Sequence, residues 1–126
     1  MTSTAPYVRL YTDDDGGSHF QDMEATLNPT DYAPPASLLD VSEAIDAHRI
    51  VFAGGPPGWV GDWHPSPRYQ FVFVLSGLFE VTVTDGETRR FGPGSAILSE
   101  DVAGRGHFTR FASKEFTLLA LVHMKP

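Results

Sequence analysis

An all-β fold is what this chain of 126 residues predicts. Twelve glycines and ten prolines break it at short intervals, and the runs between them are rich in Val, Phe, Tyr, Thr and Leu. In the clearest run, Leu78 to Thr84, the residues Phe79, Val81 and Val83 fall on one face and Glu80, Thr82 and Thr84 on the other. Short alternating runs bounded by turn formers are the pattern of a sandwich or barrel of antiparallel strands. The length suits one domain, and a chain of this size buries enough surface to hold a core without disulfide or metal staples.

Taken in order, Tyr7 to Tyr11 and His19 to Leu27 are the first strands, with Asp13-Asp-Asp-Gly-Gly as the turn between them. Residues 28–42 hold three prolines and read as a wrapping loop. Ser42 to Ala47 reads as a single helical turn capped by Ser42. Ala47 to Gly54 is a strand that Gly54-Gly-Pro-Pro-Gly58 must end, because proline has no N–H to give a ladder. Tyr69 to Ser76 is a strongly apolar strand broken by Gly77, and Asp85-Gly86 is a hairpin turn. Thr88 to Phe91, Ala96 to Ser99, His107 to Ala112 and Phe116 to Met124 complete about nine or ten strands. Phe71, Phe73, Phe79 and Phe91 are expected in the core. So many short strands stack as two sheets or close on themselves, and a small barrel leaves space for a ligand.

Composition narrows the function. Sixteen acidic residues against nine basic ones give a net charge of −7. Such a surface repels phosphate backbones and anionic lipid, so neither nucleic acid nor membrane is an expected partner. The chain has no cysteine, which excludes disulfides, thiolate nucleophiles and Cys-ligated metal. The longest apolar run, around Phe71 to Leu75, is too short to span a bilayer. Met1-Thr-Ser-Thr-Ala-Pro lacks the basic and apolar parts of a signal peptide, so a cytoplasmic protein is expected.

Chemistry gathers in Trp63-His-Pro-Ser-Pro-Arg-Tyr-Gln70. Pro65 and Pro67 favour extended geometry at the residues before them. Alternation then places His64, Ser66, Arg68 and Gln70 on one face, running into an apolar strand. If that face points inward, it makes a polar pocket. Histidine titrates near neutrality and serves as general acid or base. An inward Arg68 either binds a carboxylate or enolate bidentately or pairs internally with Glu100. Trp59 and Trp63 flank the segment as pocket wall or as core. Arg89-Arg90, beside a hairpin turn, reads as solvated and His19 as structural, while His48 and His123 carry no spacing signal.

These spacings carry a resemblance. Gly58, His64, Ser66, Gln70 and Gly77 resemble the first cupin motif, G-x5-H-x-H-x3-E-x6-G. Every spacing holds, with Ser66 in place of the second His and Gln70 in place of the Glu. Gly94, Glu100, Gly104 and His107 are similar to the second motif, G-x5-P-x-G-x2-H-x3-N. There Glu100 replaces the proline, two extra residues precede Gly104, and Phe111 replaces the Asn. The resemblance covers Gly58 to about Phe111.

The resemblance implies a double-stranded β-helix, a jelly-roll barrel of two antiparallel sheets, usually homodimeric. Residues 1–57 would supply N-terminal strands and the wrapping loop, and residues 58–126 the motif-bearing core. Metal-bearing cupins hold a divalent ion with two His and a Glu of the first motif and one His of the second. Carried over, His64, Gln70 and His107 are the candidates for Fe, Mn, Ni or Zn; Gln70 is a neutral ligand and Ser66 a poor one. Glu100 or Asp101 would add a carboxylate from the neighbouring strand. Ala96, Leu98 and Glu100 share a face, and Glu100 is favoured because it holds a matched motif position. The implied function is a small-molecule-binding cupin, an enzyme of the oxygenase, isomerase, cyclase or lyase kind. It would act on a small polar or anionic substrate through His64, His107, Arg68 and Glu100, metal-assisted or by acid–base chemistry. Ser66, Gln70, Trp59 and Trp63 would touch the ligand. The alternative is a binding or sensing module without metal or turnover. An exposed early strand, Tyr7 to Tyr11 or His19 to Leu27, is the expected edge for a dimer partner.

Overall fold

The computed structural model describes residues 3–125. The turn formers divide the chain as their chemistry requires. β1 (Ser3–Thr12) and β2 (Ser18–Thr30) make a long hairpin. Asp13 shapes its turn by accepting the backbone N–H groups of Asp15 at 2.8 Å and Gly17 at 2.9 Å. β3 (Leu39–Val41), β4 (Ala47–Gly55) and β5 (Val60–His64) follow, then β6 (Gln70–Ser76), β7 (Phe79–Thr82), β8 (Thr88–Phe91), β9 (Ala96–Glu100), β10 (His107–Phe111) and β11 (Thr117–Met124). Among the described residues there is no helix, and hence none long and apolar enough to cross a membrane.

Two sheets result, one of seven strands in the order β3-β2-β1-β9-β6-β11-β4 and one of four in the order β5-β10-β7-β8. The all-β expectation holds. Among the described residues every ladder is antiparallel except β1 with β9, where Val8 to Tyr11 run parallel to Ile97 to Glu100. β1 is therefore flanked on both sides, and of the two early strands expected as a dimer edge it is not free. Two local expectations also need correction. The wrapping loop is shorter than 28–42, because Leu39 to Val41 pair with Asn28 to Thr30. Ser42 to Asp46 are irregular rather than helical; so short a segment leaves the cost of helix nucleation unrecovered.

The sheets meet through Leu10, Val72, Val74, Ile97 and Leu119 from the larger and Val81, Phe91 and Phe111 from the smaller, with Val83 beside them. Phe71 and Phe91 are buried as expected, but Phe73 is 37% exposed. It alternates with Val72 and Val74 and so faces outward, level with Phe52 across Ala120. The sandwich is solid where Val74, Val81, Val83 and Phe91 pack. It stays hollow towards β5 and β10, where a cavity of about 240 Å³ remains.

His19 lies away from this cavity and clamps two turns together. Its Nε2 meets Asp13 at 2.5 Å and its Nδ1 meets Asp85 at 2.9 Å. The hydrogen bonds to Asp13 and then Asp85 raise the His19 pKa above its usual 6.5. Asp13 is lowered chiefly by His19, and Asp85 by the Glu87 N–H and then by His19, both from a usual 3.8. A raised imidazole stabilises fully below its unfolded pKa and loses that contribution as pH rises through the folded one. The lowered carboxylates stabilise fully above their unfolded pKa and lose it as pH falls through the folded ones. The melting temperature of the native chain should therefore exceed that of His19→Gln most between pH 3.8 and 6.5. The gap should close on the alkaline side. A difference that stayed constant from weak acid to pH well above the histidine range would rule the clamp out.

Candidate functional site

The hollow end is lined from both sheets. Leu10, Val72, Ile97, Leu119 and Leu121 form an apolar floor, and Gln70, Ser66 and Ser99 supply polar groups. From the smaller sheet come His64, Phe79, His107, Thr109 and Phe111, with Trp59 just before β5. His64 and His107 are direct cross-strand partners between β5 and β10, so their rings lie on the same face. The ring centroids are 5.0 Å apart at an interplanar angle of 54°.

Each ring is anchored through Nδ1. In His64 that nitrogen meets the Asp62 carbonyl at 2.9 Å. Asp62 reaches this position with a φ of 56°, a left-handed conformation that aspartate tolerates better than most residues. In His107 the Nδ1 meets Asp101 Oδ2 at 2.8 Å, while Thr12 donates to Asp101 Oδ1 at 2.5 Å. Asp101 is wholly buried and His107 nearly so. With a proton on Nδ1 donated to an oxygen, each ring keeps its Nε2 as the free nitrogen. Ser66 is held by its N–H to the Asp101 carbonyl at 2.7 Å and by a hydroxyl contact with Ser99. Thr109 lines the cavity, and its hydroxyl is buried without a hydrogen-bond partner.

Gly106 makes the cross-strand pair possible. Its φ is +81°, and a Cβ there would lie 2.1 Å from both the carbonyl carbon and oxygen of His64. Only a residue without a side chain lets the two strands close at this point.

The structure brings together His64, Ser66, Gln70, Trp59 and His107 around one cavity. Trp59 is a wall residue stacked on Phe111, with centroids 4.5 Å apart. Trp63 is not part of the lining. It stands beside Phe108 and carries the Arg105 guanidinium 4.1 Å from its ring centre.

Arg68 and Glu100 do not face the cavity. Alternation past His64 fails because β5 ends there and residues 67–69 bend, which turns Arg68 to an outer groove. Glu100 shares a face with Ala96 and Leu98 as expected, but that face is the outer one. Ile97, Ser99 and Asp101 are buried, with 1%, 3% and 0% exposure. Glu100 pairs with Arg9 at 2.5 Å rather than with Arg68. The inward carboxylate is Asp101, and it serves His107.

Two packed sheets with a half-polar cavity between them are the arrangement of a cupin-type protein. The cupin domain family matches residues 52–123, and the chain belongs to that family. Among solved structures it is similar to a conserved protein of unknown function from Streptococcus pyogenes. That likeness has 26% identity over 79% of this chain and 94% of the other, with a TM-score of 0.44. It is also similar to a candidate ethanolamine utilization protein Q from Salmonella typhimurium, at 15% identity over 97% of each chain and a TM-score of 0.38. No curated protein matches.

Cupins often hold a metal ion, which needs a sufficient set of donors at the site. Two imidazoles, an amide and hydroxyls face the cavity. Asp101 is spent on His107 Nδ1, and no group of three His, Cys, Asp or Glu stands ready for an ion among the described residues. Tightly held transition ions take three or more strong protein donors. The residues at this site do not fit a resident metal, and no chemistry below is routed through one.

Proposed function

We propose that the protein binds a small polar organic molecule in the cavity and that His64 and His107 act on it as an acid–base pair. The facing imidazoles support this reading most. Each is tied at Nδ1 and keeps Nε2 for a ligand, so either ring accepts a proton from the ligand at Nε2 and, as the imidazolium, returns that proton to another atom of it. Asp101 orients His107 and stabilises the imidazolium formed when Nε2 accepts a proton. Ser66, Gln70 and the unpaired Thr109 hydroxyl supply hydrogen bonds that orient the ligand. The cavity volume, about 240 Å³, lies below that of drug-sized pockets and suits a metabolite of modest size. The reading extends to a homodimer, since Ile50, Phe52 and Phe73 leave an apolar patch on the outer face of the larger sheet.

The test is a screen of small carbonyl, hydroxy and carboxylic compounds, followed by fluorescence of the wall residue Trp59. His64→Gln and His107→Gln should keep the native circular dichroism and weaken any cavity ligand at least about tenfold. A ligand that binds both variants as well as the native chain would refute the assignment. Binding without turnover would leave the cavity reading standing and remove the catalytic part of it.

A further inference from the structure

Outside the cavity rim, a groove of about 540 Å³ is lined by His48, Arg68, Tyr69, His123 and Lys125, with Pro67 on its cavity side. Among the described residues no carboxylate lines it, although the chain as a whole carries a net charge of −7. The rest of the chain's arginines show how unusual this is. Arg9, Arg89, Arg90 and Arg110 are each paired with carboxylates, and Arg105 lies over Trp63. Arg49, paired across the ladder with His123, adds to the same positive neighbourhood. His123 Nδ1 is buried without a hydrogen-bond partner. Burial first, then the charges of Arg68, Arg49 and His48, push the His123 pKa below its usual value. The groove gathers positive charge that no described lining residue offsets.

Its position is also informative. Leu119, Leu121 and His123 share a face of β11 by alternation. The two leucines line the cavity and His123 lines the groove. Gln70, a cavity residue, is the cross-strand neighbour of His123, and Pro67 lines both spaces. The Met124 N–H donates to the Tyr69 carbonyl at 3.0 Å and so ties the end of β11 to the loop bearing Arg68.

We propose that this groove is an oxyanion site. It takes the carboxylate or phosphate end of a small molecule, with Arg68 as the planar donor and His48, His123 and Lys125 around it. Resting on the cavity reading for the rest of the ligand, the charged end stays at the rim while an uncharged body enters the hollow between the sheets. Arg68 thus reads the anion from outside the barrel.

The experiment follows histidine ring resonances of the full chain by NMR. Inorganic phosphate and acetate are titrated separately at constant ionic strength held with sodium chloride. His123 and His48 should shift saturably with at least one of the two, and the stronger identifies the class. Arg68→Gln should weaken that response at least about tenfold, while Arg89→Gln should leave it unchanged. Shifts that are linear in anion, or equal in Arg68→Gln, would overturn the proposal. So would a response to a polyanion such as heparin alone. Self-association abolished by Arg68→Gln and indifferent to phosphate would assign the groove to an acidic surface of a second copy, and would equally overturn it. His64→Gln and His107→Gln should respond to phosphate as the native chain does. A failed cavity reading is thereby separated from a failed groove.

Discussion

Asp101→Ala is expected to lower the unfolding free energy by about 3 kcal/mol, because it strands two buried hydrogen-bonding groups at once. The Thr12 hydroxyl and His107 Nδ1 both end on this carboxylate, at 2.5 and 2.8 Å, and neither Asp101 nor His107 is reached appreciably by water. For a chain of this size the loss should read as a fall in melting temperature of roughly 10 °C. Asp101→Asn separates structure from chemistry. The amide oxygen can still accept from Thr12, but its NH2 then faces His107 Nδ1. The ring must turn that nitrogen into an acceptor and carry its proton on Nε2. The asparagine variant should therefore fold with a much smaller loss of stability and still fail wherever His107 must accept a proton in the cavity. A melting temperature for Asp101→Ala within a degree or two of native would show that the carboxylate is dispensable.

Gly106→Ala is the second large effect. An alanine there adopts a left-handed φ at a cost of about 1–2 kcal/mol. Its methyl carbon would also sit 2.1 Å from the His64 backbone. Since that neighbour is main chain, β5 and β10 must separate, and the total should reach roughly 3 kcal/mol or more by urea denaturation. Gly86→Ala is the control. Gly86 also has positive φ, +97°, but a Cβ there meets nothing within 4 Å, so it should cost about 1–2 kcal/mol. Equal costs at the two positions would mean that the strand approach at His64 is not constrained.

The fold was largely legible in the chain because its signals are local. Alternation from Phe79 to Val83, the hairpin at Asp85-Gly86 and the proline-rich end of β4 each act within a few residues. The histidine pair was legible through motif spacing, since β5 and β10 carry His64 and His107 at fixed offsets from their bounding glycines. The facing of each row of side chains is where sequence and structure differ. Alternation grouped Ala96, Leu98 and Glu100 correctly, yet it is silent on which side of a sheet is inside. The opposite row, Ile97, Ser99 and Asp101, is the buried one. Arg68 was lost for a different reason, because strand geometry stops at His64 and bends redirect the chain. His48 and His123 had no sequence signal, since their groove draws on β4, the loop after β5 and β11.

Residue order alone determined an all-strand chain, its turns, its acidic character and the two imidazoles of the site, because each depends on neighbours along the backbone or on simple charge count. The tertiary structure decided which carboxylate serves His107, that Glu100 and Arg68 stand outside, and that positive charge collects at the cavity rim. Those outcomes depend on which face of each sheet meets the other, and burial of apolar area across the whole sandwich sets that choice.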